Sequence, residues 1–407
     1  MKTVLFVGAG RHQLRAIRQA KERGLRVAAV DRNPEAPGLK EADIVRVVDF
    51  ADTEAVLKAT ARIRLDGVLT VSADRAVPVV AAVAEARGLP GIGVETAHLM
   101  THKVAMRRRF ADAGVPQPRF AAVRTIGETR RAADEVGFPA VLKPADSGGQ
   151  RGVFRVESLD DLHAHLHEAL IASPSGEAIL EEYVEGTEMN GIVIARGDET
   201  IALTLSDRLR PRGIGFGVGW IHVYPATIFG SQLEEAERVA QHTVHALGLE
   251  NAIAFPQLIA SPDGRVSVVE CAARIPGGQM ADLVRWAVGV DLIDVQLRFA
   301  LGEELPDEVV HARFEQPLAI RFLTASPGPL PTGRVKRIGP LDKVLAFPGV
   351  VQADVYLQEG EVIRPVRLDG DRRGYVIATA DTNVEALERA EAAARLLDVE
   401  VEPPEVE

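Results

Sequence analysis

A chain of 407 residues, at roughly 150 per domain, has room for two or three domains and a large buried core, which excludes a fibre, a peptide or a lone small module. Hydrophobic residues make up 46% and charged residues 26%, the balance of a folded globular protein rather than a disordered one. Lys and Arg number 47 against 58 Asp and Glu, so the net charge of −11 argues against a dedicated nucleic-acid or anionic-membrane binder, although a local basic pocket for a small anion remains compatible with it.

The opening apolar run ends in a glycine turn followed by Arg11 and His12 instead of a small-residue cleavage site, which reads as a first strand and not a signal peptide. No stretch approaches the roughly 18 uncharged apolar residues of a membrane span. Cys271 is the single cysteine, so no intrachain disulfide is expected, and the expected compartment is the cytoplasm. Val4 to Val7, the Gly8-Ala9-Gly10 turn and the helical spacing of Leu14, Ile17 and Ala20 predict strand, glycine loop and helix. Apolar strands ending at Asp31 and at Ser72-Ala73-Asp74 follow, so residues 1–100 read as a small doubly wound parallel α/β domain. A helix from about His102 to Ala113 stops at Gly114 before Pro116 and Pro118. Residues 101–305 predict mixed α/β structure with a smaller lobe at about 120–190, a helix opened by Ser158, strands near Ile192 and Ile201, and a helix ending at Gly248. Pro262-Asp263-Gly264 signals a hairpin between Gln257 to Ala260 and Val266 to Glu270. The frequent turns of residues 306–407 predict a β-rich third domain closed by a helix from Asn383 to Leu397.

Three constellations carry chemistry. Gly8 and Gly10 with Asp31 form half of a dinucleotide fingerprint, but Gln13 stands where the third glycine belongs; a strand-to-helix turn, or a small substrate bound at the switch point near Asp31 and Asp74, are the other readings. A strand from Phe138 delivers Lys143, and Ser147, Gly148, Gly149 and Gly152 follow in a loop whose N–H groups suit phosphate oxygens, the lysine adding a compact charge; a flexible hairpin is the bland alternative. Gln257 and Glu270 lie on the two hairpin strands, where oxygen ligands suit a Mg²⁺ carried in by a nucleotide. Arg274, followed by Gly277-Gly278 opening a helix, adds positive potential for an anion.

Taken in order, His102-Lys103 to Pro116, Val141-Leu142-Lys143-Pro144 to Gly152, Ile179 to Glu188, and Gln257 to Glu270-Cys271-Ala272-Ala273-Arg274 resemble the ATP-grasp superfamily of carboxylate–amine ligases over nearly the whole chain. The resemblance implies an α/β and α+β architecture: a pre-ATP domain, a two-lobed ATP clamp and a C-terminal β domain. It implies that Lys103 and Lys143 contact ATP phosphates under a 147–153 lid. Glu181, Tyr183 and the Val184 backbone then serve adenine, and Glu188 the ribose. Glu270 becomes the principal Mg²⁺ ligand, with Mn²⁺ an acceptable substitute. Gln257 replaces a Glu found in many relatives, and Ala272 stands where many place an Asn ligand.

The implied reaction activates a carboxylate as an acyl phosphate and joins it to an amine, an amino acid being the best fit, with Arg274 at the oxyanion and the N–H groups of Gly277 and Gly278 either assisting it or binding an amino acid carboxylate. The implied partners are small-molecule carboxylate and amine substrates, without nucleic acid or membrane; a homodimer is compatible with this. The alternatives are a carboxylase or carbamoyl-phosphate-type enzyme, a nicotinamide oxidoreductase, and a catalytically silent nucleotide-binding protein. His163, His165 and His167 read as a solvated helix face, the run Arg107 to Arg109 as water-facing, and Cys271 as a small buried hydrophobe.

Overall fold

The computed structural model describes residues 1–148, 150–210 and 218–402. The first strands, β1 (Thr3–Val7), β2 (Arg26–Asp31), β3 (Ile44–Val47) and β4 (Gly67–Leu69), make a parallel sheet in the order β3-β2-β1-β4. Every residue of β1 is buried because helices cover both faces. Val4 and Phe6 pack towards Ile17 and Ala20, while Leu5 and Val7 meet Val56, Val79 and Val83. This two-sided burial erases the alternation a half-exposed strand would show.

A second unit holds β5 (Phe120–Val123), β6 (Ala140–Pro144), β7 (Phe154–Val156) and β8 (Ala178–Glu182) as an antiparallel sheet ordered β5-β8-β6-β7. The Ser158 hydroxyl accepts the Asp161 N–H at 3.1 Å and starts the helix Leu159–Ile171, whose Leu162 and Leu166 join this unit's core.

The central sheet takes β9 (Thr187–Arg196), β10 (Glu199–Leu209), β11 (Ile221–Tyr224), β12 (Asn251–Ala260) and β13 (Val266–Ala272). It does not end there. The C-terminal segment supplies β14 (Leu318–Phe322), β15 (Gly333–Ile338), β16 (Val350–Val355), β17 (Val362–Ile363), β18 (Gly374–Thr379) and β19 (Val399–Glu402), and three of these extend the same eight-stranded sheet in the order β13-β12-β9-β10-β11-β14-β18-β16. The expected boundary at residue 306 therefore falls inside one continuous sheet, because β14 satisfies the edge of β11 by antiparallel pairing of Ile221 with Arg321 through Tyr224 with Leu318. Turn composition marks where a chain reverses, not which edge the next strand joins. Only the small sheet β17-β15-β19 stands apart, and the closing helix Asn383–Ala394 packs on β14 and β18.

One core runs across these units. Met280, Leu283, Val284, Leu292 and Val295, from the helices Met280–Val288 and Leu292–Leu301, pack between the N-terminal sheet and central-sheet residues such as Ile253, Ile320 and Ile377. Val71 bridges Ile275, and the Ser72 N–H donates to the Ile275 carbonyl at 2.9 Å, so the end of the first sheet is stitched to the segment after β13.

Candidate active site

A cleft of about 450 Å³ opens where the four-stranded lobe, the central sheet and the end of the N-terminal sheet meet. Lys143 reaches it from β6. The helix Lys103–Ala113 is capped by the His102 ring, whose Nδ1 accepts the Ala105 N–H at 3.3 Å, and the Lys103 N–H donates to the Ala145 carbonyl at 2.7 Å. Helix start and strand end are thereby tied, and both lysines line one cavity. Lys103 Nζ donates to the Ser147 carbonyl at 2.9 Å and lies 3.7 Å from Glu270 Oε1.

Lys143 Nζ donates to Glu181 Oε2 at 2.5 Å, and Arg107 Nε donates to Glu181 Oε1 at 2.9 Å. Burial pushes the Glu181 carboxyl up, but the Arg107 and Lys143 charges and their hydrogen bonds outweigh it and bring it down to about 2. The expectation that Arg107, Arg108 and Arg109 face water fails at Arg107, which is 1% exposed. Consecutive helical residues point about 100° apart, so members of one run face different sides, and Arg107 shares the buried face of Val104 and Phe110. Its remaining nitrogens donate to the carbonyls of Val268 at 2.8 Å and Val269 at 2.6 Å, just ahead of Glu270.

Gln257 and Glu270 are register partners across β12 and β13, and both line the cleft. Among the described residues no cluster of three or more His, Cys, Asp or Glu is arranged to hold a metal. The donor set is one carboxylate, 35% exposed, and one amide. Those hard oxygens fit a Mg²⁺ that arrives with a nucleotide and keeps several waters, not a resident structural ion.

Arg274 Nε donates to Asp74 Oδ1 at 2.7 Å, so two residues expected at the substrate meet as an ion pair across the stitched junction. Gly148 places its backbone against Asp74, where a Cβ would come within 3.2 Å of Oδ2. Gly277 and Gly278 line the cleft; the helix they precede starts at Met280, and no described residue accepts the N–H of either glycine. Gly278 has φ +68°, and a Cβ there would lie 3.1 Å from His222 Nε2. Ser147, Tyr183, Val184 and Glu188 also line the cleft. Both Glu188 oxygens are engaged, by Arg208 at 2.9 Å and Arg210 at 2.6 Å.

Two expected residues lie elsewhere. Asp31 is buried with its oxygens accepting the N–H groups of Ala9 at 2.8 Å and Asn33 at 2.9 Å, so it braces the glycine turn and does not face a substrate. Gly152 packs off the cleft against Ala172 and Pro144, because the loop has turned back towards β7 by that point. Gly149 lies outside the described residues. The nicotinamide reading meets a filled turn: Gln13 is buried beneath Gly8 and Gly10, and its amide donates to the Val71 carbonyl. His163 pairs with the Thr129 hydroxyl, His165 stacks on Phe154, and burial raises the Cys271 thiol to about 12.

Sequence reasoning missed His12, Asn190, His222, Phe322, Tyr356, Asp369 and Arg372, all of which line the cleft. His222 is held well below its usual pKa by burial and by the nearby charges of Arg372 and Arg208; it is neutral, with Nδ1 3.2 Å from Asn190 Nδ2. No spacing rule links these residues, since pairing of β11 with β14 and the return of the C-terminal segment bring them in.

The carbamoyl-phosphate synthase L chain ATP binding domain matches residues 102–308, and the L-amino acid ligase C-terminal domain 2 matches residues 322–402. The chain belongs to the ATP-grasp carboxylate–amine ligases. This ATP-grasp chain is 30% identical over 322 residues to an uncharacterized protein of Sinorhizobium fredii, covering 77% of its own length and 64% of the relative, less than two thirds of that protein. It is 26% identical to the formate-dependent phosphoribosylglycinamide formyltransferase of Ignicoccus hospitalis, over 97% of this chain and 95% of that one. The crystal structure of an L-amino acid ligase from Bacillus licheniformis matches with a TM-score of 0.83 at 18% identity, over 99% of both chains, a likeness of fold. Among the described residues, no helix is long and apolar enough to cross a membrane.

Proposed function

We propose that this ATP-grasp protein joins a small-molecule carboxylate to an amine, with an amino acid as substrate, at the expense of ATP. A carboxylate is a poor electrophile because its leaving group would be oxide. Transfer of the γ-phosphoryl group to a carboxylate oxygen gives an acyl phosphate and ADP. The amine nitrogen then attacks the carbonyl carbon, loses a proton and expels phosphate as the C–N bond forms. That sequence asks the protein for placed charge and excluded water, not for a nucleophile of its own.

The observation that carries the reading is the meeting of Lys103, Lys143, Glu270 and Arg274, from three separated stretches of chain, around one cleft. Lys103 and Lys143 bind the phosphates beneath the loop that includes Ser147 and Gly148. Both oxygens of Glu181 are already taken by Lys143 and Arg107, so we assign it to anchoring the lysine and leave adenine to the Tyr183–Val184 backbone. Glu188 reaches the ribose only in competition with its two arginines. Glu270 and Gln257 are the residues suited to Mg²⁺, which when bound neutralises charge on the β- and γ-phosphates. Arg274 and the N–H of Gly277 stabilise the oxyanion.

The test is trapping. Purified protein with Mg²⁺, ATP, hydroxylamine and single carboxylates, including amino acids, formate and bicarbonate, is expected to release ADP and to form a hydroxamate with one class of organic acid. Absence of hydroxamate with every acid, or ADP release dependent on bicarbonate alone, overturns the reading.

A further inference from the structure

An ion-pair chain runs along one wall of the cleft. Arg210 reaches Glu188 at 2.6 Å, and Arg208 reaches Glu188 at 2.9 Å and stands 3.9 Å from Asp369, to which Arg372 donates at 2.8 Å. Among the described residues, three guanidinium groups thus share two carboxylates. Of these arginines, Arg372 is the one whose fork is visibly committed on one side and open on the other. Its Nε donates to the Gly219 carbonyl at 2.9 Å, and its NH2 is held by the same carbonyl and by Asp369. The Phe322 ring covers one face of the guanidinium, 4.1 Å from ring centroid to Cζ. NH1 finds no acceptor among the described residues and lies 3.4 Å from where a Cβ on Gly278 would be, so it is directed at the glycine turn on the cleft wall.

We propose that Arg372 is the anchor for a carboxylate on the amine-bearing substrate, gripping it with NH1 beside the N–H of Gly278, and so makes the protein select acceptors that carry an acid group. This rests on the ligase reading above. The argument is one of donors and restraint. A guanidinium fixed at Nε and NH2 and stacked on a ring has no rotamer freedom left to lose, so a ligand oxygen meets a pre-positioned donor. Burial, with the Arg208 charge, lowers Arg372 to about 10, leaving it protonated at neutral pH and short of negative charge. Arg274 is separately occupied by Asp74, so the acid to be phosphorylated and the acid group of the acceptor have different arginines available. An acid group with two oxygens can accept from Arg372 NH1 and from a neighbouring N–H at once.

The experiment compares acids with their amides. Binding of L-alanine, L-phenylalanine and L-glutamine, of the three corresponding amino acid amides, and of phosphoethanolamine is measured by calorimetry. It is done with and without Mg²⁺ and a non-hydrolysable ATP analogue. Wild-type protein is expected to bind at least one acid about tenfold to a hundredfold more tightly than its amide, the range of one charge-assisted contact. Arg372→Met and Arg372→Lys, each checked for wild-type melting, are expected to abolish that preference without weakening nucleotide binding. Equal affinity for acid and amide in the wild type, binding of none of the acids, tighter binding of phosphoethanolamine, or a preference that survives both variants overturns the assignment. A wild type that binds acid and amide alike overturns the assignment even if neither variant folds. Failure to trap a hydroxamate while the acid preference persists removes the ligase reading and leaves the carboxylate anchor standing.

Discussion

Replacing Arg107 with Met tests how the nucleotide lysine is held. The side chain is 1% exposed and makes a charged bond to Glu181 and bonds to two backbone carbonyls. Removing one partner of a buried ion pair costs about 3–5 kcal/mol. Methionine fills much of the volume, so the loss is expected to come from uncompensated polar groups and not from a cavity. The pH dependence identifies the cause. Glu181 in the folded protein lies at about 2, below its ordinary value of 4.5, so its contribution, about 3 kcal/mol at most, is fully present above the unfolded value and is lost as pH falls from there towards 2. Without Arg107 the folded-state pKa of Glu181 rises towards the unfolded one and that contribution shrinks. Urea unfolding of both proteins, read by circular dichroism at pH 7 and at steps down to pH 3, is expected to show a gap of about 3–5 kcal/mol that narrows as pH falls. A gap below about 1 kcal/mol at pH 7, or one that stays constant down to pH 3, refutes the role assigned to the Arg107–Glu181 pair.

Lys143→Ala is expected to lower ATP affinity about tenfold or more by calorimetry while the protein still melts cooperatively, because Arg107 remains on Glu181. Glu270→Gln is expected to reduce ADP release by several orders of magnitude; Gln257→Glu, which adds a carboxylate at the register partner, is expected to retain or raise it, measured across a Mg²⁺ titration. Arg274→Lys is expected to lower hydroxamate formation at least tenfold with unchanged melting, since an ammonium cannot reproduce the planar fork that holds Asp74. If its activity loss merely tracks loss of folded protein, Arg274 only ties the two sheets together.

What the sequence made legible divides along a physical line. That Lys103, Lys143, Glu270 and Arg274 gather at one cleft could be anticipated because each sits beside a local signal, such as a capped helix start, a strand before a glycine loop, or a hairpin turn. Asp31 was misplaced because an acid at a strand end serves equally well to hold backbone N–H groups of the glycine turn, and only coordinates separate the two uses. Arg107 looked like solvent-facing charge because its buried partners, Glu181 and the carbonyls of β13, lie 74 to 162 residues away in sequence. The same blindness hid Arg372 and the extension of the central sheet past residue 306. Both depend on long-range strand pairing, which leaves no periodicity in the segment that supplies it.

Among the described residues, the cations named here for the cleft are each paired with a carboxylate. Lys143 is paired with Glu181, Lys103 approaches Glu270, Arg274 holds Asp74 and Arg372 holds Asp369. On a chain of net charge −11 such pairing keeps the positive groups from being scattered onto surface acids, but it also means that every ligand competes with a resident carboxylate. How easily a pair opens depends on where its acid goes. The Glu181 side chain is 3% exposed and clamped by Arg107, so water cannot take it over, and in the proposed reaction Lys143 would meet phosphate with its acid still attached. Asp74 is 46% exposed and Glu270 35%, so solvent or a cation can replace the arginine or the lysine at little cost. The pairs therefore sort by burial into a fixed one and exchangeable ones. In the reaction proposed above, that ordering would make Arg274 and Lys103 the groups free to change partners during a turnover, and Lys143 the one that stays.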